Sequence, residues 1–325
     1  MATEERLPRI LTLPNLVLFG LAYMVPLTLF STYGIVTQIT EGRLPAAYII
    51  TLIVMLFTTF SYGVMARNYP YSGSLYTYVQ QTLSHHLGFF AGWILLLDYL
   101  FLPIINYLLI GIYLHAQFPT ISMGIWILLA VGGITIINIV GVRVMVEMNK
   151  FLVVAQLLFL LLFTLLTVRT LLVSGAPLLS LTPFYQEGIP LSGLFAGAAI
   201  LCLSFLGFDA ITTLAEESQD PTRIMPKAIF LVTLIGGSLF IGVAYLGHLI
   251  YPDYTTFKAP ESVGLEIAYL LGGSLFQALF LTAYILGSLA SAMVSHTAAS
   301  RLLYVMGRDG VLPRGIFGTL SPRFK

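Results

Sequence analysis

The sequence predicts an all-α integral membrane protein, and three observations carry that prediction. Of its 325 residues, 58% come from the apolar set that includes the aromatics and cysteine. Only 9% are charged, where soluble domains carry about 25%. Apolar runs of about 20 residues, the length a helix needs to cross roughly 30 Å of hydrocarbon, recur along the whole chain. Backbone groups in lipid must be paired within their own segment, and the period-two alternation of a transmembrane barrel is missing, so these runs are helices.

The same arithmetic removes several function classes. With 15 Lys+Arg against 14 Asp+Glu the net charge is +1, which leaves no basic surplus for a nucleic-acid partner. The single cysteine, Cys202, cannot form an intrachain disulfide. No CxxC, HExxH, GxxxxGK[ST] or strand-borne GxGxxG occurs, so no metal, nucleotide or other cofactor is expected. No nucleophile–base pair stands at a membrane depth where it could act, which argues against an enzyme.

In chain order, eight spans are expected at 13–37, 46–66, 87–113, 122–140, 151–172, 191–214, 228–251 and 273–300. The first is too long for the apolar region of a cleaved signal and no small-residue cleavage site follows it, so it is expected to stay. It contains GLAYMVP, where Gly20 adds flexibility and Pro26 removes a donor. The second ends at Arg67, and the third carries Asp98 in its interior. The fourth and fifth are separated by a stretch holding Arg143 and Lys150. The sixth carries Gly193, Gly197 and Gly207 and the acid-bearing stretch SFLGFDA (204–210). A charged group, Glu216, Glu217, Asp220, Arg223 and Lys227, precedes the seventh; it reads as a solvated loop with capping pairs, or as a latch. The eighth ends at Arg301.

Corresponding interrupted spans in two halves of a chain point to broken helices around a midplane site. The alternative is that the small residues only let helices pack closely, as Gly193 and Gly197 would. Counting cations by side places Arg6, Arg9, Arg67, Arg143, Lys150, Arg223, Lys227, Arg301, Arg308, Arg314, Arg323 and Lys325 together, against Arg43, Arg169 and Lys258 opposite. Both termini are therefore expected in the cytoplasm of a cell whose inner membrane the chain crosses several times.

Two acids lie inside spans. Asp98 falls roughly 16 Å into the third at 1.5 Å per residue, near the bilayer centre, and Asp209 follows Gly207 in the sixth. A central Asp costs about 2.5–3.5 kcal/mol on insertion scales, and no Lys or Arg lies near either within the spans. Either the missing cation is a substrate or a proton, or each carboxyl is kept neutral and hydrogen-bonded by its surroundings. Aromatic residues flank both: Tyr99, Phe205, Phe208 and, in the first break, Tyr23. Their faces attract ammonium groups, or they are plain packing. Gly20, Tyr23, Asp98, Tyr99, Ser204, Phe208 and Asp209 form the candidate substrate site. The histidines 85, 86 and 115 read as solvated; His248 and His296 stay open, and Cys202 reads as a small buried residue.

With these residues in place, the chain resembles the amino acid–polyamine–organocation (APC) permeases, most closely the bacterial putrescine importers. The matching stretches are GLAYMVPLTLF (20–30), YPYSGSLYTYVQ (69–80), GWILLLDYLFLPIIN (92–106), SFLGFDAITTLAEES (204–218), DPTRIMPKAIF (220–230) and SRLLYVMGRDGVLP (300–313). The resemblance implies a LeuT-like inverted-repeat fold of about twelve helices, two five-helix repeats and two further helices, with helices 1 and 6 unwound around the substrate. The family's helix-six acid maps onto Asp209, and the aromatic position of helix three in the putrescine-importer type maps onto Tyr99. It also implies a single incomplete permease domain over 1–325: a first repeat at 1–173, three helices of a second at 191–300 and a cytoplasmic tail at 301–325. The chain is expected to be a fragment or to need complementation, and to be poorly stable alone.

Many amino acid carriers of that family have a serine/glycine-rich first break whose free N–H groups take a carboxylate. Here the break is bulky and lacks one N–H, which suits a substrate with ammonium groups and no carboxylate. The expectation is a secondary transporter importing a small diamine, putrescine first, by alternating access with proton coupling. Its partners would be that small cation and the lipid bilayer. The rivals are an amino acid permease or exchanger of the same fold, and a non-transporting remnant that serves as a partner-binding membrane subunit.

Overall fold

The computed structural model describes residues 9–319. Arg6, Arg323 and Lys325, counted above on the basic side, and positions 320–325 of the expected tail lie outside the described residues. Among those described, eight helical segments are long and apolar enough to cross a membrane, and each coincides with an expected span. Their outward faces carry Phe57, Phe60, Leu128 and Leu165 largely bare. Such faces are stable only in hydrocarbon, so the chain is a multi-pass membrane protein.

The first span is two helices, α1 (Leu13–Met24) and α2 (Leu29–Ile39), joined through a short 3-10 turn at Pro26–Thr28. The break sits at Val25, φ 46° and ψ 94°. Proline disfavours the α conformation in the residue before it, which ends the helix at Met24; the positive φ of the β-branched Val25 is strained backbone held at the break. The break expected over Gly20 to Pro26 thus falls at its Pro26 end, and the flexibility expected at Gly20 is corrected: Gly20 lies in regular helix, and a Cβ there would come within 2.7 Å of Val232. Its role is close packing against the seventh span.

The next elements are α3 (Leu44–Asn68), a short α4 (Ser74–Thr82), α5 (His85–Gln117), α6 (Met123–Val140) and α7 (Val142–Ser174). α4 was not expected, because SLYTYVQQT is too polar and too short to register as a span. The sixth span is broken. α8 (Leu191–Leu201) gives way to a 3-10 turn at Cys202–Phe205, Gly207 takes φ +105°, and a second 3-10 stretch, Ala210–Glu217, completes the crossing. Then follow α9 (Pro221–Ile250), α10 (Val263–Arg308) and α11 (Arg314–Phe317). α10 is interrupted at Gly272 and Gly273, where the backbone leaves helical geometry, and from there runs without a break to Arg308. Residues 301–308 are thus helix rather than tail.

α3 packs along α9, α5 and α7 pack on α10, and α1 is enclosed by α7, α9 and α10. The small-residue reading holds in α8: a Cβ on Gly193 would crowd the Ile39 carbonyl, and one on Gly197 would crowd Thr40. The turn between the first two spans is held by Arg43, only 2% exposed. Its guanidinium donates to the carbonyls of Thr40, Ile189 and Pro190. This stitches the end of α2 to the start of α8.

Candidate functional site

The two breaks meet. Gly207 presents its bare Cα to the ring of Tyr23, the next-to-last residue of α1, so closely that a Cβ at 207 would overlap that ring. α5 supplies the third wall: the Tyr99 ring meets that of Tyr23 edge to face, with centroids 6.1 Å apart. The Tyr99 hydroxyl then donates to Asp209 Oδ2 at 2.7 Å, and the Ser74 hydroxyl at the start of α4 reaches the same oxygen at 3.4 Å. Asp209 is 6% exposed and Tyr99 fully buried. Burying a carboxylate is costly unless donors meet it, and these two hydroxyls do so without neutralising its charge.

Asp98 differs from Asp209. It is half-buried, and makes no hydrogen bond or ion pair among the described residues. The Tyr23 hydroxyl is enclosed and also lacks a partner, and both carboxylates lie within electrostatic reach of it. Tyr23, Tyr99, Asp98 and Asp209 thus form one polar group at the junction of the breaks. Among the described residues no Arg or Lys side chain is paired with either acid.

Other expected members sit elsewhere. Ser204 turns to α3, where its hydroxyl pairs with Tyr48 at 3.2 Å. Phe208 stacks edge to face on Tyr62 at 5.2 Å, and Tyr62 on Tyr78 at 5.9 Å. Those three rings extend from the Asp209 segment toward α4. Gly20 lies a full helical turn before Met24 and its Cα faces Val232 and Ile211. Sequence reasoning did not select Ser74, Tyr62 or Ser291, whose hydroxyl donates to the Tyr23 carbonyl at 3.0 Å. Only the position of Ser74 within YPYSGSLYTYVQ hinted at one of them.

At the basic end the site is sealed. The Leu11 N–H donates to the Glu217 carbonyl, and the Gln219 N–H to that of Leu11, so the segment before α1 is tied to the end of the sixth span. Glu217, buried, pairs with Arg301 at 2.5 Å, and Glu216 takes a two-pronged bond from Arg308 at 2.9 and 3.0 Å. Ser72 and Glu216 exchange two further bonds, and Tyr76 donates to Asp309 at 2.9 Å. Burial beside the Asp309 carboxylate pushes the Tyr76 phenol well above its ordinary value. The solvated-loop reading of that charged group is thereby corrected for Glu216 and Glu217, which reach across to Arg308 and Arg301 in α10. At the opposite end a cavity of about 340 Å³ is left, and it touches this polar group at Tyr23. No cluster of three or more metal-ligating side chains occurs among the described residues.

Residues 15–323 match the amino acid permease family. The chain is 42% identical over 325 residues to the low-affinity putrescine importer PlaP of Escherichia coli K12, spanning 99% of this chain and 72% of that protein. It is 25% identical over 346 residues to the branched-chain amino acid permease BcaP of Bacillus subtilis, with 99% and 72% covered. It is 26% identical over 342 residues to the methylthioribose transporter of the same organism, with 99% of this chain and 72% of that protein covered.

Proposed function

This chain belongs to the amino acid permease family, and from that premise we propose that it is a secondary transporter importing a putrescine-like diamine across a bacterial cytoplasmic membrane. The observation that carries the reading is the pair Asp98 and Asp209, gathered at the junction of two broken helices with no cation paired to either among the described residues. A diamine brings two positive charges to two carboxylates. Tyr23 and Tyr99 place two neighbouring rings at the same junction, and ring faces attract ammonium groups within about 6 Å.

The first break supports the same choice. The Val25 N–H is bonded to Leu21 O, the Thr28 N–H to Val25 O, and Pro26 has none, so little of the break is free to hold a carboxylate. An amino acid substrate, as the likeness to BcaP suggests, would need that cradle. It is the second reading, and would be favoured if amino acids displaced putrescine in competition.

In the proposed cycle the basic end faces the cytoplasm, with both termini there, and the arrangement described is open to the outside. Import requires the Glu216–Arg308 and Glu217–Arg301 pairs to part while the opposite cavity closes. Proton binding at one acid would supply the coupling. The organisation proposed is a first repeat at 1–173 and an inverted second at 191–300, each opened by a broken helix. Uptake of labelled putrescine by cells producing this chain, beside Asp98→Asn and Asp209→Asn, tests the assignment. Each substitution should lower uptake at least about tenfold, the loss of roughly one buried charge-assisted contact; unchanged uptake in both removes the site.

A further inference from the structure

A smaller cavity, of about 50 Å³, lies away from both breaks, where α6, α7 and α10 meet at the basic end. Asn138, Met145, Thr297, Ser300 and Arg301 form its wall, and none of them belongs to the polar group at the breaks. Met145 and Thr297 are buried while Ser300 is exposed, so the cavity opens on the Ser300 side. One water takes up roughly 10–15 Å³ of such space, and the room here suits one tetrahedral anion.

The donors of that wall can be counted. The Thr297 hydroxyl is spent on Asn138 Oδ1 and the Met293 carbonyl, and the Ser300 hydroxyl on the His296 carbonyl. The Asn138 amide nitrogen is spent on the carbonyls of Ile134 and Met293. Arg301 alone has donors to spare. It is the only charged residue in the wall among the described residues, and its bond to Glu217 uses Nε. Nη1 and Nη2 make no hydrogen bond among the described residues, and neither is sealed off from its surroundings. Arg308, further along α10, shows the contrast: both of its Nη atoms are bonded to Glu216. The Nη1–Nη2 edge of a guanidinium is the one that meets two oxygens of a phosphate in parallel.

The level of the cavity points the same way. α6 ends at Val140 and α7 begins at Val142, so Asn138 and Met145 stand within one turn of the place where the chain folds back at the membrane edge. Arg143 in that turn is exposed and without an ion pair among the described residues. Ile139, Val140, Val144 and Met148 beside it are exposed and apolar, a surface for hydrocarbon chains. Lipid phosphates lie at this depth, and basic pockets between helices hold them.

We infer that this cavity is a binding site for a phosphate group, held by the Nη1–Nη2 edge of Arg301 and entered past Ser300. Two sources carry that group: the phosphodiester of an anionic lipid, its chains laid over the apolar surface beside α7, and free inorganic phosphate.

Native mass spectrometry of the purified chain, released from nanodiscs of phosphatidylcholine and phosphatidylglycerol in equal parts, reads the first source. Phosphatidylglycerol should be retained over phosphatidylcholine, whose phosphate is already answered by its own ammonium, by about tenfold or more, the preference one charge-assisted contact gives. Melting in phosphatidylcholine alone, with inorganic phosphate against chloride at equal ionic strength, reads the second: phosphate should raise the melting temperature. Two variants locate the effect. Ser300→Leu fills the mouth without touching the Arg301–Glu217 pair, and Arg301→Lys leaves a single nitrogen to serve Glu217; each should remove the lipid preference or the phosphate shift. Lys150→Gln, which deletes an exposed cation at the same end, should keep it. Lipid preference lost in the two cavity variants assigns the site to a headgroup, and a phosphate shift lost in them without lipid preference assigns it to the free anion. Neither effect in the parent chain, an effect that survives both cavity variants, or an equal loss in Lys150→Gln overturns the inference.

Discussion

The ring of Tyr23 rests on the Cα of Gly207, so the residue that closes the first broken helix is seated on the residue that breaks the sixth. Gly207 is doubly determined there, by φ +105° and by the ring above it. Gly207→Ala should cost about 1–3 kcal/mol for the backbone alone, with more from displacing Tyr23. Thermal melting in detergent and putrescine uptake should both fall. Combined with Tyr23→Ala, the loss should be less than the sum, since the second change removes the overlap.

Tyr99→Phe keeps the ring against Tyr23 and removes the donor to Asp209. A hydrogen bond to a buried charged group is worth about 1.5–3 kcal/mol, so diamine affinity should change by roughly ten- to a hundredfold if Asp209 is a substrate ligand. Ser74→Ala, which removes the longer 3.4 Å contact, should have a smaller effect. Direct binding by calorimetry on the purified chain orders the two; equal effects would contradict the geometry.

Removing one partner of the latch should be worse than removing both. Glu217 is 1% exposed at its side chain and Arg301 19%, and stranding one charge of a buried pair costs about 3–5 kcal/mol. Arg301→Met should lower the melting temperature, and Arg301→Met with Glu217→Leu should recover part of it. The same single variant should expose cysteines introduced at the basic end to thiol reagents more often.

Arg43 predicts a purely structural loss. Its three carbonyl bonds connect α2 to α8 from a buried position. Arg43→Lys retains the charge but loses the planar fork whose Nε, Nη1 and Nη2 each meet a different carbonyl; one ammonium nitrogen cannot span all three. Both Arg43→Lys and Arg43→Ala should reduce stability, by an amount of order 1–3 kcal/mol, while KM in the surviving protein stays unchanged.

The spans were legible because run length is a local signal that lipid enforces on every crossing. The second break was legible too, since Gly207 and Asp209 stand two residues apart in an otherwise apolar stretch. The first was legible only as the stretch Gly20 to Pro26, within which the break falls at Val25. Gly20 and Pro26 read alike as helix breakers, but proline acts on its predecessor, Val25, while Gly20 serves a close approach to Val232. What pattern reading could not supply was the choice of long-range partners. Ser74 is 135 residues from Asp209, and Arg301 and Arg308 lie 84 and 92 residues from their glutamates. Ser204 and Phe208 share the break with Asp209, yet the turn at Gly207 sends their side chains to Tyr48 and Tyr62.

From Ser274 to Arg308, α10 is one stiff rod of roughly 52 Å at 1.5 Å per residue. Ser288 in the outer chamber, Ser291 under the carbonyl of Tyr23, and the two arginines that clasp Glu217 and Glu216 are all mounted on it. A tilt that loosens the clasp is thus felt at the chamber wall in the same movement. In the proposed transport cycle the two doors would share a single crossbar, an interlock against a passage standing open at both ends.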